Sequence, residues 1–206
     1  MQVAVKYPRV LLAHAQRGDC VQQLARDLSV QVATILSVQA RASLLLPGGS
    51  SPQQLLPLLA AEPLEWARVD VSPTDERWVA ADAEQSNWRL LQQGLPAAIC
   101  LDPRQADSAQ ASASLWADQL QARMPFAAVL LGMGEDGHIA SLFPGMPGLA
   151  PALDLQAAPS ALCAQAPSEP RQRLSLNLPM LLQAQWLGLL AFGQSKKQLI
   201  DAVLAD

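Results

Sequence analysis

The residues best suited to chemistry lie in one short run, Gly132-Met133-Gly134-Glu135-Asp136-Gly137-His138. It follows the apolar stretch Phe126 to Leu131, so it falls where a strand would end. His138 is a candidate general base, because an unperturbed imidazole changes charge near neutral pH. Asp136, two residues earlier, is the candidate group that orients it. The glycines also match G-x-G-x-x-G, a dinucleotide fingerprint. Glu135 and Asp136 would put negative charge where a pyrophosphate belongs, and Pro144-Gly145 follows His138 too soon for the usual long helix. A lone histidine is more often structural than catalytic. Its place among glycines at a strand end shifts the reading toward proton transfer.

Three further segments could hold an anion. In Pro47-Gly48-Gly49-Ser50-Ser51-Pro52 the glycines allow close backbone approach, two hydroxyls add donors, and the helix expected after Pro52 points its positive end at the same space. No Gly-Lys-Ser/Thr follows, so this is not a nucleotide-binding P-loop. Asp75-Glu76-Arg77, continued by Ser86-Asn87, is either a structural ion pair or a forked guanidinium donor, Arg77, oriented by a neighbouring carboxylate. In Gly193-Gln194-Ser195-Lys196-Lys197 the lysines oppose the dipole of the helix they begin, a penalty that a bound anion would reverse. Arg171 and Arg173 open an alternating segment and are further candidate anion ligands.

Other chemistries find less support. The formal net charge is -4, and Lys196-Lys197 is the longest basic run, which argues against a nucleic-acid partner. Two histidines, His14 and His138, with no Cys/His cluster give no zinc signature. There is no G-x-S-x-G nucleophile elbow. Ser141 follows His138 at helical spacing, which is common by chance. Cys20, Cys100 and Cys163 are widely spaced and read as reduced thiols of a cytoplasmic protein. Lys6 and Arg9 precede an apolar stretch that His14 interrupts, with no cleavage pattern after it, so no signal peptide is expected. No apolar run is long enough to span a bilayer.

The elements that must position these loops alternate. Asp19 is the expected N-cap of a helix running to about Ala40, with Val21, Leu24, Leu28, Val32, Ile35 and Leu36 at helical spacing. Ser43 to Leu46 is an apolar run, and Pro52 starts another helix. Trp66 to Val71 reads as a strand ending in a polar loop from Ser72 to Arg77. Ala83 to Gln93 reads as a helix closed by Gly94 and Pro96. Ala97 to Leu101 is a short strand, Ser112 to Arg123 a helix, and Ser195 the cap of a final helix. Ala161 to Ala166 and Trp186 to Phe192 are further strands, within or after a loop-rich region from Pro144 to Pro170. Short apolar strands between helices predict an α/β fold with a largely parallel sheet, in a single domain covering residues 1–206. Ligands in such folds sit beyond the carboxyl ends of the strands.

Taken in order, these segments resemble the 6-phosphogluconolactonases. That family has a Ser-Gly-Gly-Ser-Thr-Pro loop, Asp-Glu-Arg followed by Ser-Asn, a Gly-x-Gly-x-Asp-Gly-His-x-Ala-Ser-Leu-Phe-Pro segment, an Arg-containing strand and a late Gly-x-x-Lys. Here they read Pro47 to Pro52, Asp75 to Arg77, Ser86-Asn87, Leu131 to Pro144, Arg173-Leu-Ser-Leu and Gly193 to Lys196. Pro47 replaces the first Ser and loses its hydroxyl and N–H; Ser51 replaces Thr and keeps a hydroxyl. The related glucosamine-6-phosphate deaminases carry Asp-Glu-Tyr and Ala-Phe-Asn-Glu-Pro at the corresponding places, so Arg77 and Ser141-Leu-Phe-Pro144 favour the lactonase. The resemblance implies a modified Rossmann-like fold, no cofactor, and a phosphorylated sugar lactone as partner of a monomeric cytoplasmic enzyme. It implies a substrate phosphate held by Gly48, Gly49, Ser50, Ser51, Arg77, Arg173 and Lys196, with Asp75 beside them. His138 and Asp136 would carry the catalysis, with nearby glycine N–H groups stabilising the charge that develops on the carbonyl oxygen.

Overall fold

The computed structural model describes residues 10–205. Lys6 and Arg9, on which the signal-peptide expectation rests, lie outside the described residues. Five strands form one sheet: β1 (Ala42–Leu46), β2 (Val69–Pro73), β4 (Ile99–Cys100), β5 (Phe126–Gly132) and β8 (Ala184–Leu190). Their order across the sheet is β4-β2-β1-β5-β8. Every pairing in it is parallel, as the short, unbroken apolar runs predict. A second sheet of three antiparallel strands joins β3 (Asp75–Arg77), β7 (Gln172–Leu176) and β6 (Ala161–Gln165). The helices are α1 (Arg17–Leu36), α2 (Ser50–Ala60), α3 (Asn87–Gly94), α4 (Ala109–Gln121), α5 (Leu149–Leu153), α6 (Leu178–Leu181) and α7 (Gln194–Ala205).

The central strand explains why the sheet must be covered twice. Side chains alternate along a strand, so Leu44 and Leu46 pack into one core and Leu45 into another. The first core takes α1, α2 and α3 against β1 and β2; the second takes α4 and α6 with Phe126 and Val129 of β5. All three leucines are fully buried, and truncating one to alanine costs about 2–5 kcal/mol. Trp116 of α4 is buried with its indole N–H donating to Ser72 Oγ at 3.0 Å, which satisfies the polar end of the ring. Among the described residues no helix is long and apolar enough to cross a membrane.

Several element boundaries differ from the sequence expectation. The first helix begins at Arg17 after Gln16, with Asp19 in its first turn rather than at the cap, and it ends at Leu36. Trp66–Arg68 is a 3₁₀ turn, and the strand starts only at Val69. Arg68 reaches back to the carbonyls of Leu36, Gln39 and Ala40 and holds that turn. The polar run ending at Arg77 is not a loop: Ser72 and Pro73 continue β2, and Asp75–Arg77 pairs with β7 from far along the chain. The helix expected from Ala83 starts at Asn87, capped by Ser86, and the strand expected from Ala97 is only Ile99–Cys100. Between Pro144 and Pro170, Leu149–Leu153 is helical and Ala161–Gln165 is β6. Leu142, Phe143, Met146, Ala152, Ala164 and Ala166 form a small core there. The final helix starts at Gln194, and Ser195 donates its hydroxyl to Glu135 instead of capping.

Candidate active site

Parallel strands bring their carboxyl ends to one edge, and the order β4-β2-β1-β5-β8 reverses direction between β1 and β5. A crevice opens at such a reversal. The loop after β1 is Pro47 to Gly49, and the loop after β5 runs to His138, so the two richest segments of the sequence flank this point. They touch there: a Cβ on Gly132 would lie 3.5 Å from the Pro47 ring. Gly49 has φ +94° and is the N-cap of α2, so the loop needs glycine at that position.

The loop after β5 is folded around the His138 side chain. Gly134 N–H donates to the His138 carbonyl at 2.9 Å, and Gly137 N–H donates to the Gly134 carbonyl at 3.2 Å. His138 Nδ1 lies 2.5 Å from Asp136 Oδ1, which also accepts the His138 backbone N–H at 3.3 Å. An ionised carboxylate can only accept here, so the contact favours the tautomer with the proton on Nδ1 and leaves Nε2 its lone pair. Burial pushes the Asp136 carboxyl up, but the hydrogen bonds and charge of His138 outweigh this, and the net shift is downward. Gly134 makes the pair possible: a Cβ there would sit 2.2 Å from His138 Cε1 and Nδ1. Phe143 packs on the imidazole with ring centroids 4.3 Å apart. The N–H groups of Gly134 and Gly137 are committed inside the turn.

Strand β3 anchors the neighbouring wall through a saturated carboxylate. Glu76 is 0% exposed. It accepts the N–H groups of Arg77 at 2.7 Å, Asn87 at 2.8 Å and Trp88 at 2.7 Å, and the Ser86 hydroxyl at 3.1 Å. Arg104 adds an ion pair at 3.0 Å, with its N–H vectors off the hydrogen-bond line. The structural ion pair foreseen within Asp-Glu-Arg does not form: Arg77 makes no ion pair among the described residues, and the cation on Glu76 is Arg104, a residue with no signal in the sequence. Glu76 fixes Asn87, whose amide donates to the Asp75 carbonyl at 2.7 Å. A Cβ on Gly48 would lie 1.8 Å from Asn87 Oδ1, so the phosphate-type loop is seated on this amide. Asp75 is also buried; its Oδ2 accepts the Ser141 hydroxyl at 2.6 Å, and Ser141 N–H donates to Ser175 Oγ at 3.1 Å. Ser141 therefore ties the segment after His138 to both β3 and β7.

Two arginines face each other across β3 and β7, Arg77 opposite Arg173. Like charges directly opposite are unfavourable. Arg173 is only 7% exposed. Its pKa is lowered by burial first and then by the charge of Arg77, while Asp75 and Glu76 act in the opposite sense. The Nε groups of both arginines are buried without a hydrogen-bond partner. Arg77 Nη1 donates to the Gln85 carbonyl at 2.6 Å, so a backbone oxygen, and not the neighbouring carboxylate, orients it. A cleft of about 300 Å³ opens beside it, lined by Gly49, Gln53, Arg77, Ser86, Asn87 and Arg89 among others. Buried, unpaired guanidinium donors of one sign call for an anion.

Lys196 approaches from α7. Its side chain is 19% exposed and lies 3.6 Å from Glu135 Oε1. It is thus tied to the loop that carries His138, whereas Arg77 and Arg173 are tied to each other; Ser50 and Ser51 lie in the first turn of α2. Arg171 is exposed and pairs with Glu169, apart from the buried face of Arg173. Sequence reasoning missed Arg104, Arg89 and Gln53. Gln53 directly follows the Pro47–Pro52 segment and Arg89 comes two residues after the Ser86-Asn87 pair, while Arg104 stands near no signal. Among the described residues no cluster of His, Cys, Asp and Glu could hold a metal ion.

Comparison with known proteins gives a consistent picture. Residues 15–206 match the family described as glucosamine-6-phosphate isomerases/6-phosphogluconolactonase. A 6-phosphogluconolactonase of Pseudomonas putida is 38% identical over 98% of this chain and 86% of its own length. One from Pseudomonas aeruginosa is 39% identical over 91% of this chain and 83% of its own. Among solved structures, a 6-phosphogluconolactonase from Shewanella baltica superposes with TM-score 0.84 at 32% identity, covering 92% of this chain and 83% of that one. A monomeric glucosamine-6-phosphate deaminase shares the fold at TM-score 0.72 and 17% identity, covering 92% of this chain and 85% of that one.

Proposed function

The chain belongs to the family of glucosamine-6-phosphate isomerases and 6-phosphogluconolactonases, and we propose that it hydrolyses 6-phospho-D-glucono-1,5-lactone to 6-phospho-D-gluconate, the lactone-opening step of the oxidative pentose phosphate pathway. The observation that carries this reading is an Asp136-oriented imidazole on a segment that Ser141 fastens to β3 and β7, the strand pair bearing two opposed, under-bonded arginines. The first is a base for water; the second is a seat for a phosphate dianion.

In this mechanism the phosphate rests on Gly48, Gly49, Ser50 and Ser51 with Arg77, Arg173 and Lys196. Lys196 exchanges Glu135 for the phosphate. Asp75 contributes by holding Ser141, and so the segment that follows His138. Anchoring the phosphate sets the lactone C1 before His138 Nε2. Neutral His138 takes a proton from water as the water oxygen bonds to C1. The imidazolium is stabilised by Asp136 through Nδ1–H. The C1–O5 bond then breaks, and the proton held on Nε2 passes to O5. The product acid loses its proton to solvent.

Three free cysteines fit a reducing compartment, the cytoplasm. The cleft and the His138 loop come from one sheet edge of one chain, which fits a monomer acting as a single domain. The test is hydrolysis of the phosphorylated lactone, followed by proton release or NMR above the spontaneous rate. Turnover of that lactone with strong preference over unphosphorylated gluconolactone is the expected result. Release of ammonia from glucosamine-6-phosphate without lactone turnover would assign the chain to the deaminase branch.

A further inference from the structure

Arg89 lies at the third position of α3, its backbone N–H accepted by Ser86 Oγ at 3.2 Å. The turn beneath it is fixed by Glu76, so the start of its side chain is rigidly placed. Arg89 is half-buried and lines the same cleft as Arg77, Gln53 and Gly49. Among the described residues its guanidinium makes no hydrogen bond and no ion pair, although exposed Glu84 lines the same cleft. Two of the other cations invoked for the anion are partly committed: Arg77 gives one nitrogen to Gln85 and Lys196 leans on Glu135. The Arg173 guanidinium, like that of Arg89, makes no hydrogen bond or ion pair among the described residues, but Arg173 is only 7% exposed. A phosphomonoester brings close to two negative charges and three acceptor oxygens, more than the donors Arg77 has left.

We propose that Arg89 is a substrate-binding residue that sets specificity for the phosphorylated end of the lactone, donating to phosphate oxygens from the α3 side of the cleft while Arg77 donates from β3. This rests on the lactonase reading for its substrate, but the anion contact stands on the cleft itself. It separates two jobs within one site: Arg89 binds, and it takes no part in proton transfer at His138.

Arg89→Gln, Arg89→Lys and the unaltered protein are compared in lactone hydrolysis, with inorganic phosphate as competing anion. Loss of a charged hydrogen bond should raise KM for the phosphorylated lactone about 10- to 100-fold in Arg89→Gln, with kcat within about threefold. Weakening of phosphate inhibition should run in parallel, Arg89→Lys should recover part of the loss, and unphosphorylated gluconolactone should be turned over as before. An unchanged KM and phosphate inhibition in a folded Arg89→Gln protein would overturn the assignment. So would a KM effect that disappears in high salt with phosphate inhibition untouched, since that is long-range attraction alone. If the unaltered protein does not hydrolyse the lactone, the lactonase reading fails. Calorimetric binding of inorganic phosphate and 6-phosphogluconate then still decides Arg89: weaker binding in Arg89→Gln supports it, equal binding overturns it.

Discussion

Glu76 and Asp136 are both carboxylates at the carboxyl edge of the sheet, and they stand in opposite conditions. Glu76 is 0% exposed and surrounded by backbone N–H groups, the Ser86 hydroxyl and Arg104. Asp136 has a side chain 46% exposed and holds one residue, His138, which is itself 25% exposed. A saturated carboxylate has no capacity left for a ligand and acts as a fastener. An unsaturated one, bound to an imidazole with a free nitrogen, is poised for proton transfer. A related contrast separates Arg104, ion-paired to both Glu76 and Asp102, from Arg77 and Arg173, which keep buried Nε atoms without a partner and make no ion pair among the described residues. Chemistry is expected where bonding is incomplete.

The largest effect should come from the unsaturated region. His138→Asn keeps polarity and approximate size but removes the base, so kcat should fall by about two to four orders of magnitude with KM little changed. Steady-state kinetics on the folded variant checks this; a rate close to that of the unaltered protein would remove His138 from the mechanism. In the saturated region the damage should fall on stability instead. Glu76→Ala leaves Arg104 short of a partner and strips acceptors from buried N–H groups, a loss of about 3–5 kcal/mol measurable by urea unfolding. Gly134→Ala lies between these cases. Its Cβ would overlap the His138 ring, and displacing a catalytic group by an ångström costs about 100-fold in rate, so kcat should fall while the unfolding midpoint stays near its original value.

The sequence was most legible where local pattern and global role coincide. The central strands β1 and β5 are apolar runs because both faces are buried, and the loops after them carry glycines because backbones and side chains approach closely there. His138, Asp136 and the Gly48-Gly49 pair were therefore readable in place. The β3–β7 pairing was not, since Asp75–Arg77 is three polar residues whose partner strand lies almost a hundred positions away. Arg104 and Arg89 were hidden for the same reason: their sites exist only once α3 is docked on Glu76. The carboxylate foreseen as the guide of Arg77 turned out to guide α3, because its oxygens reach that helix's free N–H groups. The N–H groups of Gly134 and Gly137 turn inward, because the loop must close around the imidazole.

The smallest effect concerns the stability that the Asp136–His138 pair contributes. The folded Asp136 carboxyl lies below its ordinary value: burial raises it, and the hydrogen bonds and charge of His138 lower it by more. A group with a depressed folded pKa stabilises the fold fully above its unfolded pKa, and that contribution disappears as pH falls through the lower folded value. The Asp136 carboxyl's contribution should therefore be in place above its unfolded value, near pH 4, and be lost only in stronger acid. Nearly half of the Asp136 side chain is exposed, so solvent screens the pair and little stability is at stake. Asp136→Asn should shift Tm at pH 7 by no more than about 2 °C, and by less still at pH 2–3. The same variant should lose much of its rate at pH 7, because a neutral amide in place of the carboxylate no longer selects the tautomer that frees Nε2. Thermal melts and kinetics on one preparation measure both. A large Tm loss at pH 7 with activity retained would reverse the assignment, making Asp136 a fastener like Glu76 and His138 its structural partner.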